Sequence, residues 1–245
     1  MIPLVFLAGY IPILFSSSNR NLKSQAKYFF ISFLIIIIIS SFSILLFDEY
    51  NLSIFIGLFL FFWILLNLIY ELIKKIMLTG NIKAITQNIG MFMAHLGLAI
   101  FILGATMVEN SKTEKEIVVA VNEKLDIKNY TFQFMNITES EGPNYTAVIG
   151  HFKVYNNGEF LTDMYPEKRL YNSSEMPMTE AGIDPGFTRD LYITMGTLID
   201  QDKWSVRIYH KPLIRLIWIG ALMMVFGGIF SVLSKRKNIN IGYSS

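Results

Sequence analysis

The chain has 245 residues, of which 53% are hydrophobic and only 16% are charged, and its mean hydropathy is +0.44. Soluble domains usually carry about 25% charged residues, so this composition excludes an ordinary soluble enzyme. The formal net charge of +2 is too balanced for a nucleic-acid-binding protein. The absence of cysteine excludes disulfides, thiolate metal sites and covalent c-type haem attachment to this chain. An integral membrane protein with a polar insert is the class that remains.

The amino-terminal stretch 2–15 is apolar but short, and Pro3 and Pro12 interrupt it. At about 1.5 Å per residue it cannot cross a hydrocarbon core of about 30 Å, so we expect a partial or re-entrant segment. Four later stretches each contain the roughly 20 apolar residues that a crossing needs. Together they predict membrane helices over 29–47, 52–76, 90–108 and 212–234. Residues 1–108 are therefore assigned to a membrane region.

The basic residues determine the predicted orientation. Ten Lys and Arg lie outside 109–211, and nine of them fall in three short stretches that four crossings place on one side. The positive-inside rule makes that side cytoplasmic, including the tail 235–245. Segment 109–211 has eleven basic and sixteen acidic residues, a net charge of −5. It is predicted to be extracytoplasmic.

Segment 109–211 has the pattern of a small β domain. Strand-like runs with β-branched or alternating apolar residues cover 117–121, 130–137, 146–155 and 203–209. Turn signals rich in Gly, Pro and Asn lie at 141–144, 156–158 and 184–186. About a hundred residues can bury a core of their own, so we expect a small barrel or sandwich. The predicted fold class is an α-helical polytopic membrane protein with an inserted extracytoplasmic all-β domain.

His95 is the most informative candidate site residue, because it lies inside an otherwise apolar membrane helix. An ionisable side chain in a membrane span is costly and indicates a function. A neutral imidazole can offer one nitrogen as an axial ligand to haem iron. The alternative is a structural histidine that is hydrogen-bonded to a neighbouring helix. The residues by themselves leave both readings open.

The helix around His95 carries a seam of glycines. Gly90, Gly97 and Gly104 recur every seven residues, which predicts a surface that another helix can approach closely. At about 100° per residue, His95 lies roughly opposite that seam. Ala99 and Ile102 share the face of His95, and we expect space there for a flat ligand.

The other two histidines carry less weight. His151 lies in a strand-like run on the same face as Lys153 and is expected at the solvent surface. His210 precedes Lys211 and Pro212 and is expected to be an interfacial anchor at the membrane. The charges in 178–192 favour a solvated or salt-bridged surface over a catalytic group.

Five blocks of the sequence resemble the carboxy-terminal part of the CcmF family, the large membrane subunit of the cytochrome c maturation haem lyase. They are MAHLGLAIFILG (93–104), GPNYT (142–146), EKRLY (167–171), MTEAGIDPGFTRDLY (178–192) and WSVRIYHKPLIRLIWIGALMMVFGG (204–228). The blocks follow the order and spacing of the family and cover about residues 85–237.

The resemblance implies a role in the attachment of haem to apocytochrome c. Members of the family receive haem from the haem chaperone CcmE and work with other maturation subunits such as CcmH. They also hold a b-type haem between two membrane histidines, and one of these lies in the block that contains His95. The resemblance therefore implies His95 as an axial ligand of haem b, in the bacterial inner membrane or the mitochondrial inner membrane.

The sequence also departs from the family. Its three tryptophans lie outside any tryptophan-rich haem-handling segment, and no second membrane histidine is present. We therefore expect either a fragment or one subunit of a split haem lyase, inactive without an amino-terminal half. An alternative is a non-catalytic scaffold that docks maturation partners through its β domain. A transporter is less consistent with the sequence, because polar groups are scarce along the spans.

Overall fold

The computed structural model describes residues 2–16, 22–46, 51–79, 88–174, 176–200 and 202–242. Within them the chain forms two compact units, one of residues 1–110 and 214–245 and the other of residues 111–213. The first unit is helical and the second is a β domain. The predicted fold class is confirmed in its helical and all-β parts.

Over the residues that the structure describes, five helices build the first unit. They are α1 (Ile2–Ser16), α2 (Leu22–Ser43), α3 (Leu52–Thr79), α4 (Ile89–Ser111) and α5 (Arg215–Gly242), with a short 3-10 turn at Ile44–Leu46. Within the described residues, four of them are long and apolar enough to cross a membrane, over Lys23–Ser43, Leu52–Met77, Ile89–Ser111 and Arg215–Ser234. The stretch 2–15 is helical, but α1 has only 15 residues and is shorter than a span.

The start of α3 is fixed by a side-chain cap. The Asn51 side chain accepts a hydrogen bond from the backbone N–H of Ser53, which would otherwise have no partner in the first turn. Trp63 then holds α1 against α3, since its indole stacks on Phe6 at 4.6 Å and donates to the Phe6 carbonyl at 2.8 Å. A Cβ at Gly9 would lie 2.5 Å from the Trp63 ring, so glycine permits this approach.

The last membrane helix begins later than the sequence predicted. Strand β10 runs to Pro212, which pairs with Arg189, and the helix starts at Arg215 rather than at position 212. Proline lacks an N–H and is tolerated at the end of a strand. Leu213 then takes a left-handed backbone conformation, with φ of 53°, and makes the turn into the helix.

In the part of the β domain that the structure describes, ten antiparallel strands form two sheets. The strands are β1 (Thr113–Ala120), β2 (Lys124–Ile127), β3 (Tyr130–Glu141), β4 (Tyr145–Asn156), β5 (Glu159–Met164), β6 (Glu167–Tyr171), β7 (Met178–Glu180), β8 (Gly182–Pro185), β9 (Arg189–Asp200) and β10 (Lys203–Pro212). One sheet has the order β1-β10-β9-β8, and the other has the order β2-β3-β4-β6-β7 with β5 paired to β4. The domain is therefore a sandwich, which decides between the two expected architectures.

The core of the sandwich draws on both sheets. Phe134 and Phe152 stack at 4.5 Å and are fully buried, and Ile193 and Ile208 are buried with them from the other sheet. Alternation along the strands places these side chains on one face, as the sequence pattern required. Burial of this aromatic and aliphatic surface is the main favourable contribution to the free energy that holds the two sheets together.

Candidate functional site: the His95 region

The structure places His95 on α4, six residues after the helix begins. Its Nδ1 lies 2.8 Å from the carbonyl oxygen of Met91, one turn earlier on the same helix. A carbonyl oxygen can only accept, so Nδ1 is the nitrogen that carries the proton. The lone pair of the ring is therefore on Nε2.

Nε2 has no hydrogen-bond donor among the residues that the structure describes. Histidines that bind metals usually donate their other ring N–H to a carbonyl or carboxylate, which fixes the tautomer and the orientation of the ring. His95 has this arrangement before any metal is bound. In this respect it fits the axial ligation of haem iron that the sequence resemblance implied.

The glycine seam of α4 lies against α5. A Cβ at Gly97 would be 2.7 Å from the carbonyl oxygen of Gly220, and a Cβ at Gly104 would be 2.8 Å from the backbone nitrogen of Ile217. Gly90 is equally close to Gly227 and Ser231. Any side chain at these three positions would push the helix backbones apart, so glycine is required for the approach.

The opposite face of α4, which carries His95, contacts α3 at three points. Asn110 accepts a hydrogen bond from Ser53 at 2.5 Å, and the Thr106 side chain lies directly against Gly57. Nearer the start of α4, the Lys75 ammonium lies 5.4 Å from the Phe92 ring centroid.

The space expected beside His95 is smaller than the sequence suggested. Ala99 is 0% exposed and Ile102 is half-buried, so this part of the face is packed rather than open. The small side chain of Ala99 indicates space beside His95 when the sequence is considered alone. The sequence does not show which helix covers this part of the face. His95 itself is half-buried.

His151 is at the surface of the sandwich but is held by neighbours. Its Nε2 lies 2.6 Å from Oδ1 of Asp163 on β5, and its ring stacks on Tyr165 at 4.9 Å. Both members of the His–Asp pair are partly exposed. The pair ties β4 to β5, which is a structural role for this histidine.

His210 is not an exposed interfacial anchor. It lies on β10 opposite Leu191, its side chain is only 9% exposed, and its Nδ1 has no partner among the described residues. Burial, and then the positive charges of Lys128 and Arg189, lower the pKa of His210 below its usual value. The residue is therefore a neutral member of the sandwich interior.

The charges of 178–192 form ion pairs, as the sequence favoured. Arg189 pairs with Asp184 at 2.5 Å and donates to the Tyr130 hydroxyl at 3.0 Å, while Arg169 lies 3.6 Å from Glu180. Asp190 is buried and accepts from the Gly186 N–H at 3.1 Å. This segment folds as β7, β8 and the start of β9, and its charged groups stabilise turns and strand ends.

Glu71 is a polar residue that the sequence pattern does not single out. The structure buries it completely on α3, with neither carboxylate oxygen hydrogen-bonded among the described residues. Asn67, one turn earlier, accepts from the Tyr28 hydroxyl and donates to the Trp63 carbonyl. Only the packing of neighbouring helices distinguishes these two buried residues from lipid-facing ones.

These features define a multi-pass membrane protein with a β-sandwich inserted before its last helix and a histidine within a span. Residues 110–212 match the family described as the CcmF C-terminal beta-sandwich. The cytochrome c-type biogenesis protein CcmF of Haemophilus influenzae is 31% identical over 248 residues, covering 98% of this chain and 38% of that protein. CcmF of Escherichia coli K12 is 33% identical and covers 96% of this chain and 36% of that protein.

A solved structure, "Cytochrome c Heme Lyase CcmF", has the same fold, with a TM-score of 0.72 and 16% sequence identity. It covers 94% of this chain and 38% of that chain. The chain thus spans less than four tenths of the length of these relatives. It is similar to the carboxy-terminal part of CcmF.

Proposed function

We propose that this chain forms the carboxy-terminal part of a cytochrome c maturation haem lyase and that His95 is one axial ligand of a b-type haem in the membrane. The observation that carries the proposal is the state of the imidazole, in which Nδ1 donates to Met91 and Nε2 keeps its lone pair. The relatives named cytochrome c-type biogenesis proteins support the setting.

The residues of this chain would hold and orient the ligand. The Met91 carbonyl would fix the tautomer and the orientation of the ring, because it accepts a hydrogen bond from Nδ1. The contact between the Gly97 seam and α5 holds α4 in place. A bound haem b supplies a one-electron redox centre. The second axial ligand would come from the amino-terminal half of the lyase.

The β-sandwich would lie outside the cytoplasm, and the membrane would be a bacterial or mitochondrial inner membrane. The basic residues that support this orientation flank the predicted spans, at Arg20, Lys23, Lys27, Lys74, Lys75, Lys83, Lys235, Arg236 and Lys237. The net charge of −5 in 109–211 is consistent with translocation of this segment.

In this location the sandwich would dock the haem chaperone CcmE, CcmH or apocytochrome c. Large apolar side chains lie exposed on it near the edges of the sheets, including Phe160, Met178 and Ile183. Exposed apolar side chains of this kind are common at sites of protein interaction. Cross-linking from Phe160 is the direct check on this part of the proposal, and it would identify the partner.

The ligand assignment is tested by an absorption spectrum. Membranes that contain this chain together with the remaining maturation proteins should show a low-spin b-type signal, and His95→Ala should weaken or abolish it. His151→Ala is the matched control, since His151 pairs with Asp163 in the sandwich, and it should leave the signal unchanged. If His95→Ala spared both the signal and cytochrome c maturation, the scaffold alternative would replace the ligand role.

A further inference from the structure

The turn between β8 and β9 carries an exposed aromatic side chain. Strand β8 ends at Pro185 and β9 begins at Arg189, so the turn contains only Gly186, Phe187 and Thr188. Phe187 is 78% exposed. Single exposed apolar residues are common on protein surfaces, so this exposure is informative only together with the position of the turn.

The turn is held in one conformation by its own hydrogen bonds. The Gly186 N–H donates to the Arg189 carbonyl at 2.9 Å, and its nitrogen lies 3.1 Å from Oδ1 of Asp190. A Cβ at Gly186 would lie 2.5 Å from the same carbonyl oxygen, so glycine permits this tight closure. The ion pair between Arg189 and Asp184 joins the two strands next to the turn. Phe187 is therefore carried by a preorganised turn, and its contact with another surface costs little conformational entropy.

The turn is tied to the point where the chain leaves the sandwich for the last membrane helix. The Leu213 N–H donates to the Thr188 carbonyl at 2.8 Å. Helix α5 begins two residues later, and its segment Arg215–Ser234 is long and apolar enough to cross a membrane. Because consecutive Cα atoms are about 3.8 Å apart, Leu213 lies within about 8 Å of the first residue of that helix. The turn is thus at the end of the sandwich from which the chain enters the membrane.

The residues around this connection have the composition of a membrane interface. The Lys211 ammonium lies 4.3 Å from the ring centroid of Tyr192 and 5.3 Å from that of Tyr209, and the two tyrosines pair across β9 and β10. Trp218 is exposed in the first turn of α5. Tyrosine and tryptophan are enriched at the level of the lipid headgroups, and the negative surface of a membrane attracts lysine. This part of the chain therefore fits a lipid surface.

We infer that the β8–β9 turn anchors the sandwich to the lipid surface that α5 enters, with Phe187 inserted at the headgroup boundary and Lys211 facing the lipid phosphates. Insertion removes the aromatic ring from water, which is favourable in free energy. A second attachment beside Leu213 limits the rotation of the sandwich about its connection to α5. The inference depends on the membrane span of α5 and not on the haem ligand proposed on α4, so the two can fail independently.

Fluorescence quenching by lipids tests the anchor. The chain contains no cysteine, so Thr188→Cys attaches a single environment-sensitive fluorophore to the turn and leaves Phe187 intact. The full chain is reconstituted into phosphatidylcholine vesicles, in which phospholipids brominated on their acyl chains act as quenchers. Leu198→Cys is the matched control, because Leu198 is an exposed apolar residue about 30 Å along β9 from Arg189. The fluorophore at position 188 should be strongly quenched, and the one at position 198 only weakly.

Two further variants test the side chains. Phe187→Ser, combined with Thr188→Cys, should lose most of the quenching, while the circular dichroism of the β-sheet should stay unchanged because Phe187 is exposed. Addition of phosphatidylglycerol, an anionic phospholipid, should increase the quenching at position 188, because the Lys211 ammonium is attracted to its charge. Lys211→Gln should abolish that increase.

The outcomes that contradict the inference are distinct. Equal quenching at positions 188 and 198 would overturn the anchor. Quenching that survived Phe187→Ser would overturn the insertion of Phe187, and an increase with phosphatidylglycerol that survived Lys211→Gln would overturn the contact of Lys211 with lipid. If maturation proteins in the same membrane shielded the fluorophore at position 188 from lipid, the turn would belong to a protein interface instead.

Discussion

His95 and His151 each use one ring nitrogen in a hydrogen bond, whereas Nδ1 of the buried His210 has no partner among the residues that the structure describes. The sequence alone draws attention to His95, because an ionisable residue within an apolar helix is conspicuous. The sequence alone does not show that His210 is buried. That burial depends on the pairing of β10 with β9, which brings His210 opposite Leu191.

The burial of His210 has a consequence for stability at acidic pH. The pKa of the residue is lowered in the folded chain, so the folded state favours the neutral ring. Above about pH 6.5 the ring is neutral in both the folded and unfolded chain, and it contributes no pH dependence. As the pH falls below that value, the unfolded chain binds the proton first and the free energy of unfolding decreases.

His210→Gln should therefore reduce the acid sensitivity of the sandwich. We expect the free energy of unfolding to fall less between about pH 7 and pH 5 in the variant than in the wild type. Urea unfolding of the full chain in detergent, followed by the circular dichroism of the β-sheet, measures this difference. Identical pH profiles for the two proteins would show that His210 does not titrate differently on folding.

Phe134 and Phe152 stack at 4.5 Å in the core of the sandwich, where both are fully buried. Phe152→Ala should lower the free energy of unfolding by about 3–5 kcal/mol, because it removes buried area and leaves a cavity. Phe160→Ala is the matched control, since Phe160 is exposed, and its effect should stay within about 0.5 kcal/mol. Equal losses in the two variants, measured by urea unfolding, would contradict the assignment of the core.

At the scale of helices, close packing of α4 on α5 depends on glycine. Gly97→Ala places a methyl group 2.7 Å from the Gly220 carbonyl, a backbone atom that can move only with its helix. The cost should be about 1–3 kcal/mol, seen as a lower melting temperature in detergent. At Gly228 an added Cβ meets nothing within 4 Å, so Gly228→Ala should melt like the wild type. A Gly97→Ala protein that also melts like the wild type would contradict the close approach.

The long apolar helices and strands β1, β3, β4 and β10 could be predicted from sequence, because apolar runs of membrane length and alternating strands are strong local signals. The predicted ends of an element were less accurate where polar residues extend the helix or strand beyond its apolar run. Helix α2 starts at Leu22 rather than position 29, since Lys23 and Lys27 extend it beyond the apolar run. Strands β7 and β8 were not predicted, because these short strands at the sheet edges lack alternation.

The candidate site could be predicted only in part, because some of its features depend on contacts between distant segments of the chain. His95 and the Gly97 seam are visible in the sequence, but the helix that covers Ala99 and the burial of Glu71 arise from packing between distant segments. Ser53 and Asn110, which are far apart along the chain, join α3 to α4. A contact of this kind has no local signature.

At the scale of the whole molecule, residues 111–213 form a compact unit whose core comes from its own strands. We therefore expect the excised segment 111–213 to fold without the helices. Circular dichroism should show β-sheet and one cooperative thermal transition, as for other small domains. A segment that remained unfolded, or that melted without cooperativity, would show that the sandwich depends on the helical unit.

In the membrane unit, Nε2 of His95 is proposed to bind haem iron. The substitution His95→Gly removes the imidazole side chain, and free imidazole added to the buffer can take its place. In membranes that also contain the remaining maturation proteins, the low-spin b-type spectrum should be lost in His95→Gly and should return when imidazole is added. The same low-spin spectrum in His95→Gly without imidazole would contradict axial ligation by this residue.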